Sequence, residues 1–128
     1  MGADEFLIRG VHPEQWNTQA DRPSSAAFNA HELSVDREEL RSVVVCCNVR
    51  PLFGHVRIAV EEALRLGLTV KADPIGTDTL PFDTTPSEAY DPAHALVLGS
   101  KKAKQRLRNT ATTLFRPGEC PDAKPTRG

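Results

Sequence analysis

A chain of 128 residues with 39% hydrophobic and 26% charged side chains has the size and balance of one globular domain, large enough to bury a core without disulfides or metal. Its net charge of −1 gives no global attraction to nucleic acid or acidic membranes. Aromatics make up only 5%, so the core must rest on Val, Leu, Ala and Ile.

In chain order, EFLIRGV (5–11) reads as a strand, with Phe6 and Ile8 on one face and Leu7 and Arg9 on the other. Residues 12–32 read as loop, with a short ordered piece at SAAF. In LSVDREELRS, Asp36 followed three residues later by Glu39 fits a capping box and predicts a short helix from Arg37 to about Ser42. SVVVCCNV, β-branched and apolar on both faces, predicts a central buried strand. HVRIAV alternates as a strand through about Val60. A short helix to Leu66, closed by Gly67 in the left-handed conformation, follows, and one helix over 55–66 is the competing reading. LTVKA is a further strand, stopped by Asp73-Pro74.

Residues 73–93 hold five acids, four prolines and no base, a long loop that is either a mobile lid or an insertion without function. HALVLG then reads as a buried strand. Ser100 caps a helix, KKAKQRLRNTATTLF, with an apolar stripe at Ala103, Leu107, Ala111 and Leu114. The expected fold is α+β: one domain over 1–116, a mixed sheet of about five strands, two short helices and a C-terminal amphipathic helix. Residues 117–128 read as a disordered tail.

The three cysteines, adjacent Cys46 and Cys47 and the distant Cys120, make no disulfide framework and suit buried thiols in a reducing compartment. The N-terminal stretch has neither a basic start nor a long apolar run. Phe6 breaks the myristoylation pattern, and VVVCC is too short to span a bilayer. The expectation is a cytoplasmic protein without membrane contact.

RGVHP, RPSSAAF, LSVD, VEEALRLGL with an acid–Pro step soon after, and PAHALVLG stand in an order that resembles an uncharacterised family of small bacterial proteins. The resemblance covers roughly residues 7–114 and implies a bacterial origin; it carries no activity with it. VVVCCNVRPLFG and the loop at 76–91 depart from the family pattern.

Two groups of residues are candidates for chemistry. The first is Arg9, His12, Arg22, Ser24, Ser25, Ser34, Asp36 and His94. Arginine forks, serine hydroxyls and loop N–H groups suit a phosphate, and a histidine suits acid–base work. The plain alternative is a turn whose serines bond to backbone, with Arg9 paired to Asp36 and His94 satisfied at the loop's end. The second group is the basic helix, with Lys101, Lys102, Lys104, Arg106 and Arg108 and the nearby Arg116, which either neutralises phosphates or forms a solvated face. His12, His31, His55 and His94 are scattered and no Cys-x-x-Cys spacing exists, so no metal site is expected short of convergence in space, and no cofactor is implied.

The leading expectation is a binding or accessory module for a protein or a phosphate-bearing ligand. One alternative is a nucleotide- or NAD-using transferase, similar to ADP-ribosyltransferases, built on Arg9, His12 and Ser24. It lacks a glutamate late in the chain at a strand end, since Glu88 falls in the loop and Glu119 in the tail. Nucleic-acid binding through the basic helix is the other alternative, and whether the protein is an enzyme stays open.

Overall fold

Leu7 and Val11 are fully buried on one face of β1 (Phe6–Val11), and this alternation sets up the whole sheet. The structure is a computed structural model and describes residues 1–78 and 84–121. Beside β1 lie β4 (Leu33–Arg37) and β5 (Gly54–Ala59), with β6 (Thr69–Ala72), β7 (His94–Leu98) and β8 (Thr112–Phe115) outside them. The order is β6-β7-β4-β1-β5-β8, and every pairing is antiparallel. A two-stranded ribbon, β2 (Trp16–Asn17) and β3 (Arg22–Pro23), stands apart. The α+β class is as expected; among the described residues the sheet has six strands and no parallel pair.

Leu33, Val35, Val56, Ile58, Ala95 and Val97 join Leu7 and Val11 on the core face. Against them pack Val60 and Ala63 of α2 (Val60–Arg65), Leu107 of α3 (Lys101–Thr110), and Ala27 and Phe28 of a 3₁₀ turn (Ser25–Phe28). Each fully buried aliphatic side chain contributes about 1.5–3 kcal/mol through removal from water. The strand-then-helix reading of 55–66 is correct, and Gly67 has φ +82° as the left-handed cap requires. Ser100 caps α3 through a bond from the Ala103 N–H to its Oγ at 3.1 Å.

Three expectations need correction. SVVVCCNV is not a strand but carries α1 (Val43–Val49), whose cap is Ser42, accepting from the Val45 N–H at 3.4 Å. Only Cys46 and Cys47 of this helix are buried and Val44 is 46% exposed, so its valines do not fill a sheet core. The proposed helix from Arg37 is instead the end of β4 and a turn, because Leu33 and Val35 alternate into the core. The last helix stops at Thr110, and the β-branched Thr112–Phe115 segment pairs with β5 as an edge strand.

α1 and the segment leading into β7 lie against the other face of the sheet. That face carries Ile8, Gly10, Ser34, Asp36, His55 and His94, in register across four strands. Of the acidic loop, residues 79–83 lie outside the described residues, as do 122–128 of the expected tail. The start of that tail is held down: the Glu119 N–H bonds to the Arg116 carbonyl at 2.9 Å, and Cys120 forms a disulfide with Cys47. Among the described residues no helix is long and apolar enough to cross a membrane.

Candidate functional site

A cavity of about 280 Å³ opens between the polar face of the sheet, α1 and the segment before β7. Asp36 and His94 sit directly opposite each other on β4 and β7 and both line it, as do Ser34 and Arg9. Asp91 and Arg41 close one side, and Cys46, Arg50, Glu88 and His55 complete the wall.

Asp91 is the chemical centre. It is buried, and its Oδ1 accepts from the Ala93 N–H at 3.0 Å and faces Arg41 Nε at 3.3 Å. Arg41 is buried as well and donates to the Tyr90 carbonyl at 2.7 Å. Burial, then the hydrogen bond and charge of neighbouring Asp36, push the Asp91 carboxyl up to about 7 against the pull of Arg41. Asp36 Oδ2 accepts from the Cys46 thiol at 3.6 Å, while its Oδ1 is buried and has no donor when both carboxyls are ionised. One proton on Asp91 supplies the missing donor and removes the like-charge repulsion. Asp91 therefore exchanges its proton near neutral pH instead of in the ordinary carboxylate range. Cys46 has its thiol pushed far up by burial and by Asp36, so it is an inert neutral thiol here.

His94 Nδ1 bonds to the Asp73 carbonyl at 2.9 Å and lies 3.2 Å from the Asp73 carboxylate. A carbonyl only accepts, so Nδ1 carries a proton and donates it to the Asp73 backbone. Arg9 is a cavity residue whose guanidinium is committed elsewhere: Nε and Nη2 donate to the Ala27 carbonyl at 3.3 and 3.0 Å, and Nη1 to the Ser34 carbonyl at 2.8 Å. It does not pair with Asp36. Burial and the nearby Arg50 lower its pKa to about 10. Arg50 Nε donates to Glu88 at 3.1 Å.

The structure thus brings together Arg9, Ser34, Asp36 and His94, and leaves the other first-group candidates outside the cavity. His12 caps a 3₁₀ turn, its Nδ1 accepting from the Glu14 N–H at 3.0 Å, and its ring packs edge-on against Phe53. Arg22 donates to Asn109 at 2.6 Å. Ser24 occupies a cap position without a side-chain capping bond among the described residues, and the Ser25 carbonyl accepts from Gln105 at 2.8 Å. The RPSSAAF stretch is a loop pinned to α3. Arg108 donates to the Pro23 carbonyl at 3.0 Å, and Gln105 also bonds to Asn29. Of Arg9, His12 and Ser24, the residues of the transferase alternative, Arg9 alone lines the cavity.

The basic helix is likewise only partly a charged surface. Lys104 is 2% exposed and donates to the Ala30 and His31 carbonyls at 2.8 and 2.7 Å. With Arg108 committed to Pro23, Lys101, Lys102 and Arg106 are the solvated charges. Arg116 pairs with Asp21 at 2.7 Å, and with Glu119.

The cysteine expectation also changes. Cys47 and Cys120, far apart in sequence, are bonded, leaving Cys46 as the free thiol among the described residues. His55 stands beside the pair, so metal-type donors do converge in space. Sequence reasoning missed Asp91, Arg41 and His55. The Asp-Pro-Ala step held a signal, since an aspartate two residues before an N–H is a local turn acceptor, but nothing local pointed it at Asp36. Comparison of the chain with protein-family models, with characterised proteins and with solved structures finds no match in any of the three.

Proposed function

We propose that the protein is a small-molecule binding module whose ligand presents an amine to the Asp36–Asp91 pair. The observation that carries this is the buried Asp91 beside Asp36 in the wall of a cavity of about 280 Å³, with the Asp91 carboxyl pushed up to about 7 by burial and by Asp36. Such a pair offers several lone pairs to a donor, and a cation placed between the carboxylates replaces the proton on Asp91. A phosphate-bearing ligand is less well served. The forks of Arg9 and Arg41 are spent on carbonyls and on Asp91, and a phosphate would sit against Asp36. The volume is at the small end for ligand sites, which favours a compact molecule.

Asp91, protonated near neutral pH, also favours a second reading. The pair can act as acid and base on the bound molecule, with Asp36 as the base and Asp91 as the acid. In both readings the module is a receptor for a small polar molecule first.

Titration calorimetry with a panel of small primary amines, polyols and nucleotides, in buffers of different ionisation enthalpy, tests the proposal. The expected result is amine binding that releases a proton at neutral pH and is lost in Asp36→Asn. Nucleotide or phosphate binding that survives Asp36→Asn, with no amine binding, would overturn it.

A further inference from the structure

The end of α1, the start of β5 and the segment after β8 bring Cys47, His55 and Cys120 together. One ligand atom from each lies within 4.8 Å of the other two. Two thiolates and an imidazole are the donor set of zinc and other borderline-soft ions.

His55 is already held in the ligating form. Its Nε2 lies 3.3 Å from the Arg50 carbonyl, which only accepts, so Nε2 carries the ring proton and Nδ1 keeps the lone pair. Nδ1 is buried with no hydrogen-bond partner among the described residues, and the whole side chain is 1% exposed. A buried polar atom without a partner costs stability, and a metal bond would satisfy it. A carbonyl behind a buried imidazole is the supporting contact that metal-binding histidines use.

We infer that, once the Cys47–Cys120 bond is reduced, Cys47, His55 and Cys120 bind one Zn²⁺ ion, so that the disulfide and the ion are alternative states of the same place. A dithiol or phosphine reductant supplies two electrons to the S–S bond, and two protons complete the thiols. Zn²⁺ then displaces both thiol protons, which leave to solvent. In the reverse direction a small-molecule disulfide takes two electrons from the thiolates, becomes two thiols with two protons from solvent, and the S–S bond closes as the ion leaves. Three protein ligands leave a fourth tetrahedral position open. His55 is the ligand that also belongs to the cavity wall.

The experiment is a zinc competition titration of the full chain against a chromophoric chelator, with the cobalt spectrum and circular dichroism recorded alongside. Reduced wild type is expected to take up one equivalent and to show a thiolate-to-cobalt charge-transfer band. Oxidised wild type and Cys120→Ser are expected to bind at least about tenfold more weakly. Cys46→Ser keeps full affinity, because Cys46 lies outside the cluster. Reduced wild type binding no better than oxidised, or Cys120→Ser binding as tightly as reduced wild type, would overturn the assignment. So would loss of the ion in Cys46→Ser alone. If reduction unfolds the chain, recovery of the folded spectrum on adding zinc supports the site and failure to recover it overturns it.

Discussion

Asp36 and Asp91 share the wall of the cavity, and burial together with the neighbouring Asp36 carboxyl keeps a proton on Asp91 up to a pH of about 7. The folded-state pKa of Asp91, about 7, lies above its ordinary value of 3.8, so the folded chain holds this proton more tightly than the unfolded one. Its stabilising effect is complete below the unfolded value and is lost as the pH rises through about 7. Asp91→Asn keeps a donor beside Asp36 and removes the titration. Urea melts across this range should show wild-type stability falling relative to the variant, and parallel profiles for the two would refute the raised Asp91 pKa. Glu5, whose pKa is lowered first by its bond from Arg37, acts with the opposite sign at acid pH and cancels in the comparison.

Lys104 should behave as a core residue. Lys104→Met strips the donor from two carbonyls, Ala30 and His31, and should cost about 3 kcal/mol. Lys101→Gln with Lys102→Gln should shift stability by less than about 0.5 kcal/mol. Equal effects in chemical denaturation would contradict the anchoring role. Any retention on heparin should depend on Lys101, Lys102 and Arg106, which are exposed.

The Cys47–Cys120 bond spans 73 positions of chain, so closing it restricts the unfolded state strongly. By loop entropy it contributes up to about 4 kcal/mol. Reductant should therefore lower the Tm of metal-free wild type towards that of Cys120→Ser and leave the variant unchanged. A wild-type Tm insensitive to reductant would argue against the bond.

Gly67 and Gly99 both have positive φ, yet their substitution should differ. At Gly67, φ +82°, a Cβ meets nothing within 4 Å, and alanine should cost about 1 kcal/mol of backbone strain. At Gly99, φ +144°, it would lie 2.5 Å from Leu68 Cδ2, and alanine should cost at least about 2 kcal/mol. Similar melting temperatures for the two variants would show that Leu68 gives way freely.

Much of the fold was legible because local signals agreed with tertiary ones. β1, β5, α2, β6 and β7 follow their hydrophobic patterns, and α3 follows its cap. VVVCC misled because β-branched residues favour strands only weakly. The Ser42 cap and the burial of Cys46 and Cys47 on one side were enough to make a helix. Asp36 misled because its carboxyl, three residues before Glu39, turned to Cys46 and Asp91 instead of capping a helix. The site was half legible. Arg9, Ser34, Asp36 and His94 lie on neighbouring strands, whereas His12, Arg22, Ser24 and Ser25 were grouped with them only by closeness in sequence. Asp91, Arg41 and His55 reach the cavity through long-range packing that no spacing rule encodes.

The two-residue period of the strands separates two kinds of change. On β4, Leu33 and Val35 face the core while Ser34 and Asp36 face the cavity, and on β7 Ala95 and Val97 are buried beside His94. Exchanging Ser34 or His94 for another small polar side chain rewrites what the cavity greets without disturbing a single core neighbour. The sheet is therefore a scaffold whose cavity face can drift while its interior stays still. Relatives of this chain would then differ most at every second residue of β4 and β7.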